Sequence, residues 1–310
     1  MSDLEVSVVG VEAAAAVHQV IQEAFRARPP IDPPADALSE TVETVAEELA
    51  AYGGVLATLR GEPVGSMLFD HSGPGLMLRR FGVAPTAQGH GVASGLVRVA
   101  EEHALANGYH GLRVKSRVEL PESIAFWEYH GYTRSGRVGV TLRLAKVFPR
   151  RYTLATADDV RDFGERLAGL LRAGDLLLLS GDLGAGKTTL TQGIGAGLGV
   201  RGQITSPTFV ISRVHPGLDS GPPLVHVDAY RLGGIDELDD LDLDTSLTEA
   251  VTVVEWGEDV AESLADERLE IRIVRAPGGE QSLDDHDPRD LVLQPVGLRW
   301  LDSGLESLTG

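Results

Sequence analysis

The sequence contains no cysteine and no long apolar run. Without thiols the chain can form no disulfide, no thiolate metal site and no cysteine nucleophile, and this composition predicts a reducing, cytoplasmic environment. No stretch reaches the about 18 apolar residues that cross a bilayer. Residues 1–5 are acidic and lack the basic start of a signal peptide. We therefore expect a cytoplasmic protein that makes no membrane contact.

Basic side chains are scarce in the second half of the chain. Residues 1–150 carry 14 basic and 17 acidic side chains, whereas residues 151–310 carry 13 basic and 29 acidic ones. The formal net charge of the whole chain is −19. Binding of nucleic acid depends on neutralising phosphates. Any role linked to RNA would therefore be indirect, with a partner holding the RNA. The densest acidic run, residues 236–244, is either a solvated helix face or loop, or a docking surface for a basic protein.

The length of 310 residues predicts two domains. Pro149 suits a boundary, so we expect an α+β domain over residues 1–148, an α/β domain over 152–300, and a frayed tail over 301–310. In the first domain the pattern predicts helices at 13–27, 37–51, 92–106 and 123–130, and strands at 6–11, 55–60, 63–69, 75–83, 112–116 and 138–144. In the second it predicts a helix at 158–172, a loop at 275–289, and strands at 176–180, 209–214, 224–228, 251–255, 269–274 and 291–295.

A complete phosphate-binding loop, G-x-x-x-x-G-K-[ST], lies between an apolar strand and a helix in the second domain. The expected nucleotide-binding residues are Gly181, Asp182, Leu183, Gly184, Ala185, Gly186, Lys187, Thr188 and Thr189. Glycines allow backbone N–H groups to surround the phosphates, and the helix N-terminus adds partial positive charge. Lys187 can reach the outer phosphates and the Thr188 hydroxyl can bind Mg²⁺. This motif predicts a nucleoside triphosphate site.

Two carboxylates end predicted strands of the same domain. Asp228 closes the strand at 224–228, and Glu255 closes the strand at 251–255. Because the carboxyl ends of strands line the ligand crevice of an open α/β sheet, both acids can converge on Lys187.

Four motifs now occur in one order: residues 181–189, 205–209 (TSPTF), 226–232 (HVDAYRL) and 254–256 (VEW). This set resembles the TsaE family, the ATPase subunit of the bacterial tRNA threonylcarbamoyladenosine machinery, over about residues 152–297. The resemblance implies a P-loop NTPase fold, ATP and Mg²⁺. It also implies two partners, the transferase subunit and its paralogous partner, with tRNA contacted only indirectly.

The resemblance also implies roles for individual residues. Lys187 and Thr188 would bind phosphates and Mg²⁺, Glu255 would act on Mg²⁺ directly or through water, and Asp228 would orient the attacking water. We thus expect Lys187, Asp228 and Glu255 to be catalytic. Thr208 would belong to a switch-like loop near the γ-phosphate, and Trp256 would lie beside the nucleotide unless it only packs in the core. Tyr230 and Arg231 would contact either partner or nucleotide.

A second glycine-rich turn, Q-x-x-G-x-A, lies between a strand and a helix of the first domain. With no lysine or Mg²⁺ ligand, this cradle suits the pyrophosphate of a carrier. Its residues, together with the segment at 123–132, resemble the GNAT acetyltransferases over about residues 5–145, which implies an α+β fold and acetyl-CoA binding. The cradle residues are Gln88, Gly89, His90, Gly91, Val92 and Ala93.

The first domain departs from the GNAT pattern at the acid and base positions. The tyrosine that usually acts as general acid in that family aligns with Trp127, which has no hydroxyl. Tyr129 or Tyr132 could take over the role of the acid. The strand before the cradle has no carboxylate, although a bound water can serve as base. His90 and His130 are further candidate bases.

Three other functions remain open at this point. The chain could be chiefly an N-acetyltransferase regulated by its P-loop domain. The first domain could instead be an inactive module that senses acetyl-CoA, or the P-loop domain could be a small-molecule kinase.

Overall fold

The computed structural model describes residues 4–206, 212–218, 221–231, 247–256, 264–275 and 287–309. The chain divides into two compact units, Met1–Lys146 and Val147–Gly310. The domain bounds at 148 and 152 remain a prediction. No helix in the described ranges is both long and apolar enough to span a bilayer.

The first unit is a seven-stranded sheet with four helices. Its strands follow the order β1-β2-β3-β4-β5-β7-β6. The β4–β5 pair is parallel, while β1–β2, β2–β3, β3–β4 and β6–β7 are antiparallel. The elements are β1 (Leu4–Val9), α1 (Ala14–Arg26), α2 (Val42–Tyr52), β2 (Gly54–Leu59), β3 (Glu62–Asp70), β4 (Leu76–Val83), α3 (Val92–Ala106), β5 (Gly111–Arg117), α4 (Pro121–Tyr129), β6 (Thr133–Val138) and β7 (Thr141–Val147).

Two predictions for the first unit are wrong. The expected helix at 37–51 is a short 3₁₀ turn, Asp36–Ser39, followed by α2, because Thr41 caps a new helix with its side chain accepting from the Thr44 N–H. The expected single strand at 138–144 is the hairpin β6–β7, which turns through Gly139 at φ 58°. The exposed, polar β6 lacks the alternating apolar pattern that identifies a strand from sequence.

The second unit is a mixed seven-stranded sheet of order β10-β11-β12-β9-β13-β14-β8. Strands β11, β12, β9 and β13 run parallel, with antiparallel strands at both edges. The central strands are nearly continuous apolar runs, as expected for a sheet buried on both faces. The elements are β8 (Arg150–Leu154), α5 (Ala157–Ala168), β9 (Leu176–Ser180), α6 (Lys187–Leu198), β10 (Ser212–His215), β11 (Leu224–Asp228), β12 (Val251–Glu255), β13 (Arg268–Arg275) and β14 (Arg289–Val296).

Helices α5 and α6 pack closely against each other at glycines. A Cβ on Gly193 would lie 2.1 Å from the Arg161 carbonyl oxygen, and one on Gly164 would lie 2.7 Å from the Leu190 carbonyl oxygen. Both helices contribute to the apolar core that includes Leu177 of β9. This packing holds α6, and with it the loop that precedes α6, against the sheet.

Both ends of the second unit also differ from prediction. Strand β8 was not expected, and α5 ends at Ala168 rather than at residue 172. The segment expected to fray after Trp300 is packed, because Leu301, Leu305 and Leu308 belong to the core of this unit. Apolar residues spaced across short turns gave no periodic signal, so sequence reasoning missed their burial.

Candidate functional site

The predicted phosphate-binding loop connects the buried strand β9 to the first residue of α6. Gly181, Gly184 and Gly186 have φ values of 133°, 77° and 114°, which side chains rarely adopt. A Cβ on Gly181 would also lie 2.1 Å from a backbone oxygen of β13. Asp182, Leu183 and Gly184 are exposed, Ala185 is buried, and Thr189 is half-buried. The loop thus has the strand–glycine–helix form that can surround phosphates with N–H groups.

Lys187 extends back over its own loop. Its Nζ donates to the carbonyl oxygens of Gly181 at 2.7 Å and Asp182 at 3.0 Å. The same Nζ lies 3.6 Å from the centroid of the Trp256 ring, which is a cation–π contact. The ammonium group is therefore buried at the mouth of the loop, where phosphate oxygens would meet it.

Thr188, Glu255 and His226 form a buried chain of hydrogen bonds. The Thr188 Oγ1 donates to Glu255 Oε1 at 3.0 Å. His226 Nε2 lies 2.8 Å from the same Oε1. Because a carboxylate only accepts hydrogen bonds, His226 must donate from Nε2. Its Nδ1 has no hydrogen-bond partner among the described residues. His226 therefore holds one oxygen of Glu255 towards Thr188.

The oxygens of Thr188 and Glu255 suit Mg²⁺. This cation takes oxygen ligands at about 2.0–2.1 Å in octahedral geometry, so two neighbouring ligands lie about 2.9 Å apart. The observed separation of 3.0 Å matches that spacing. Buried Glu255, only 3% exposed, has no lysine or arginine partner among the ion pairs of the described residues. A hydroxyl and a carboxylate so placed fit the magnesium ion of a nucleotide complex.

Asp228 lies at the same sheet edge as Glu255, since the two residues are register partners in the parallel pair β11–β12. Its Oδ1 accepts from the Tyr230 N–H at 3.1 Å, which fixes the local turn. The structure therefore brings Glu255 into contact with the loop and places Asp228 one strand farther away.

Trp256 follows β12 in the left-handed conformation, with φ 60°. Its backbone N–H donates to the Leu179 carbonyl oxygen at 2.9 Å. The centroid of its ring lies 5.2 Å from that of the exposed Tyr230 ring. Trp256 thus contacts Lys187 rather than serving only as core packing. Arg231 ends a short 3₁₀ turn. Thr208 and the acidic run at 236–244 lie outside the described residues.

Sequence reasoning assigned no role to two residues that contact this site. His226 stood inside a quoted motif, two residues before Asp228, and that spacing on a strand is a signal that the two share a face. Arg289 was placed at the end of a loop. It is instead the first residue of β14, and its Nε donates to the Ala185 carbonyl oxygen at 2.8 Å. No local pattern could have indicated that contact.

The second predicted cradle connects β4 to α3. The parallel register of β4 with β5 covers only residues 76–78 with 112–114, and a β-bulge follows in β4 with Arg80 at φ 51°. Gly89 and Gly91 both have φ 77°, and Gly91 caps α3. Gln88 to Gly91 are exposed, Val92 is buried, and Ala93 is half-buried. An exposed glycine turn at the start of a 15-residue helix is a geometry that accepts a pyrophosphate.

The candidate acids of the first unit have contrasting environments. Trp127 is buried against Phe81, Phe126 and Tyr132. Tyr132 is buried as well, which raises the pKa of its hydroxyl well above the usual value. Tyr129 is 86% exposed. Trp127 and Tyr132 are therefore core residues. Of the two tyrosines, Tyr129 is the one whose hydroxyl is accessible.

The candidate bases are held by local hydrogen bonds. His130 Nδ1 lies 2.8 Å from the Phe126 carbonyl oxygen and its Nε2 lies 3.1 Å from Ser94 Oγ. His90 is exposed, with Nδ1 3.0 Å from the Gln88 carbonyl oxygen. Carboxylates do approach β4, although none lies on that strand.

Two glutamates bond to arginines of β4: Glu48 accepts from Arg79 Nη1 at 3.0 Å, and Glu40 accepts from Arg80 Nε at 2.8 Å and from Thr44 Oγ1 at 2.7 Å. Burial would raise the pKa of Glu40, but the bonds from Thr44 and Arg80 outweigh it and lower the pKa. Glu40 therefore stays ionised and is a weak base.

The second unit is by its fold and its loop a P-loop NTPase domain. A parallel sheet, a glycine loop after the central strand β9, and a lysine–threonine pair that opens α6 define this class. Residues 154–282 match the family model described as threonylcarbamoyl adenosine biosynthesis protein TsaE, and residues 15–132 match the acetyltransferase (GNAT) family model.

The curated relatives agree with the family model. The chain is 59% identical over 152 residues to the tRNA threonylcarbamoyladenosine biosynthesis protein TsaE of Streptomyces coelicolor, covering 49% of this chain and all of that protein. It is 36% identical to the protein of the same name from Bacillus subtilis, over 48% of this chain and 88% of the relative. The chain belongs to the TsaE family and carries a GNAT domain ahead of its TsaE region.

A solved structure is similar to the first unit. It is the crystal structure of the PaiA N-acetyltransferase from Thermoplasma acidophilum in complex with coenzyme A, with 13% identity, a TM-score of 0.43, and coverage of 47% of this chain and 99% of that chain.

Proposed function

We propose that this chain hydrolyses ATP as the ATPase subunit of the complex that makes threonylcarbamoyladenosine at position 37 of tRNA. One observation carries the proposal: at the glycine loop, Lys187 donates to the Gly181 carbonyl oxygen while the adjacent Thr188 donates to Glu255. The names of the relatives support the place of this activity in tRNA modification.

The described side chains divide the work as follows. The loop N–H groups and Lys187 bind the phosphates of ATP. Thr188 and Glu255 would hold Mg²⁺, which would neutralise charge on the transferred phosphoryl group. Glu255 is held in place by His226. Asp228, at the neighbouring strand end, orients the attacking water, and Trp256 borders the nucleotide beside Lys187.

The acidic second half of the chain supports an indirect relation to tRNA. In this proposal the transferase subunit and its paralogous partner hold the tRNA, and ATP hydrolysis supports their turnover in the cytoplasm. A small-molecule kinase is the competing function. It predicts a phosphorylated product and no dependence on those two partners.

Complementation tests the ATPase proposal. A bacterium depleted of its own TsaE would receive the full chain, its Lys187→Ala variant, or its Lys115→Ala variant, in which an exposed lysine of β5 is lost. We expect the full chain and Lys115→Ala to restore threonylcarbamoyladenosine, measured in tRNA by mass spectrometry, and Lys187→Ala to fail. No restoration by the full chain, with soluble expression and cognate partners present, would reject the proposal.

We further propose that the first unit binds acetyl-CoA at the turn of residues 88–93. The observation in favour is the exposed glycine turn at the start of α3, on the connection from β4. Acetyl transfer, to a small amine or a protein N-terminus, would form an N–C bond as the C–S bond of the thioester breaks. A bound water would take the amine proton, and the exposed Tyr129 hydroxyl would protonate the thiolate of the leaving coenzyme A. Without transfer, the same site would sense acetyl-CoA.

Calorimetry with acetyl-CoA tests this second proposal. Gly91→Asp puts a negative charge where the pyrophosphate would lie, so we expect binding to fall at least tenfold. Gly108→Asp is the matched control, since Gly108 also has positive φ with open space around it and follows the other end of α3. Equal binding by both variants, or none by the wild type, would contradict the proposal.

A further inference from the structure

Arg289 contacts the phosphate-binding loop although it lies far from the loop in sequence. It begins β14, and its Nε donates to the Ala185 carbonyl oxygen at 2.8 Å, across 104 positions of the chain. Its side chain is 13% exposed. The contact is therefore a tertiary feature of the loop, made by a largely buried cation.

Asp287 holds the guanidinium of Arg289 in place. The Arg289 Nη2 donates to Asp287 Oδ2 at 2.7 Å, and Nη1 donates to the Asp287 carbonyl oxygen at 2.8 Å. Arg275, which faces Arg289 in the β13–β14 register, also donates to the Asp287 carboxylate, at 2.8 Å and 2.9 Å. The bonds from Arg289 and Arg275 keep the pKa of Asp287 far below its usual value. Because both Nη atoms bond to Asp287, Arg289 has a fixed direction for Nε.

The peptide that Arg289 contacts belongs to the phosphate-binding turn. In a trans peptide the C=O of Ala185 and the N–H of Gly186 point in opposite directions. A donor that holds this carbonyl therefore sets the direction of the Gly186 N–H. Gly186 has φ 114°, and within the described part of the chain no atom beyond its chain neighbours lies within 4 Å of an added Cβ, so no packed side chain fixes Gly186 itself.

We infer that Arg289 is a positioning residue, which orients the Gly186 N–H towards the phosphates of ATP by holding the Ala185 carbonyl. The inference rests on the proposed function, since it requires that the loop bind a nucleotide. Lys187 supplies charge to the phosphates, whereas Arg289 acts only through the backbone.

The test compares two arginines that share Asp287. Arg289→Gln removes the bond to Ala185, whereas Arg275→Gln removes a partner of Asp287 and leaves the loop untouched. The full chain would be titrated with a fluorescent ATP analogue and Mg²⁺, and steady-state ATP hydrolysis would be measured. We expect Arg289→Gln to raise Kd and KM about tenfold, as for loss of one hydrogen bond from a charged donor. Arg275→Gln should stay within about twofold of wild type.

Arg289→Lys guards against a folding defect. A lysine ammonium can donate to Ala185 but cannot bond Asp287 through several N–H groups, so its Kd should fall between wild type and Arg289→Gln. Thermal melting of the nucleotide-free variants would show that each is folded at the temperature of the titration. Equal Kd values for wild type and Arg289→Gln, or equal losses in Arg289→Gln and Arg275→Gln, would overturn the inference. If the wild type itself binds no ATP, the proposed function fails and the inference with it.

Discussion

Replacing His226 by leucine tests whether the carboxylate of Glu255 must be held in place. His226 is fully buried, and its Nε2–H is 2.8 Å from Glu255 Oε1. A hydrogen bond to a charged group contributes about 1.5–3 kcal/mol. Leucine fills the space but has no donor. The free energy that favours the carboxylate orientation facing Thr188 is therefore lost.

If all of that energy serves to place Glu255, ATP turnover should fall about 10- to 150-fold in His226→Leu. The Mg²⁺ concentration for half-maximal rate should rise as well, because Glu255 would approach the cation less often in the productive orientation. The assay is steady-state phosphate release with Mg²⁺ varied at saturating ATP. His226→Gln, whose amide N–H can donate, should recover part of the rate.

His215→Leu is the matched control. His215 is also a buried histidine, in the adjacent strand β10, and makes no hydrogen bond to Glu255. It should hydrolyse ATP at nearly the wild-type rate. Turnover and Mg²⁺ dependence within about twofold of wild type in His226→Leu would refute the reasoning. Equal losses in both variants would show that burial of histidine, and not the bond to Glu255, matters.

Three stability predictions follow from other features. Gly181→Ala forces a Cβ to within 2.1 Å of a backbone oxygen at φ 133°, so thermal melting should drop by several degrees, and by more than in Gly184→Ala, where the space is open. Asp175→Ala leaves buried Arg299 without its carboxylate, which should cost about 3–5 kcal/mol of unfolding free energy in urea; an unchanged midpoint would contradict it. Tyr132→Phe removes a buried hydroxyl that has no bonding partner in the described part of the chain, so stability should stay equal or rise by about 1 kcal/mol, and acetyl-CoA binding should not change.

Much of the second unit could be predicted because its signals are local. Apolar runs give the bounds of β9, β11 and β12 to the residue, since strands buried on both faces need little else. The glycines of the loop are required by positive φ, which is a property of each residue's own backbone. The same motif predicts that a helix follows the loop, and α6 begins at Lys187.

Local signals were insufficient where a residue's role depends on distant partners. The hairpin β6–β7 and the packed segment after Trp300 have weak periodicity, and their burial depends on what the rest of each unit offers. Sequence alone allowed both Asp228 and Glu255 to reach the loop, but strand order brings only Glu255 into hydrogen-bond contact among the described residues.

The motifs of this sequence therefore predict its candidate catalytic residues, but they do not predict the tertiary contacts of those residues. Thr188 and Glu255 are 67 positions apart, and Ala185 and Arg289 are 104 apart. Neither contact has a local pattern, because each arises from the order of strands in the sheet. The sequence alone determined the lysine, the threonine and the two candidate carboxylates. The tertiary structure determined that Glu255 contacts Thr188 and that Arg289 contacts Ala185.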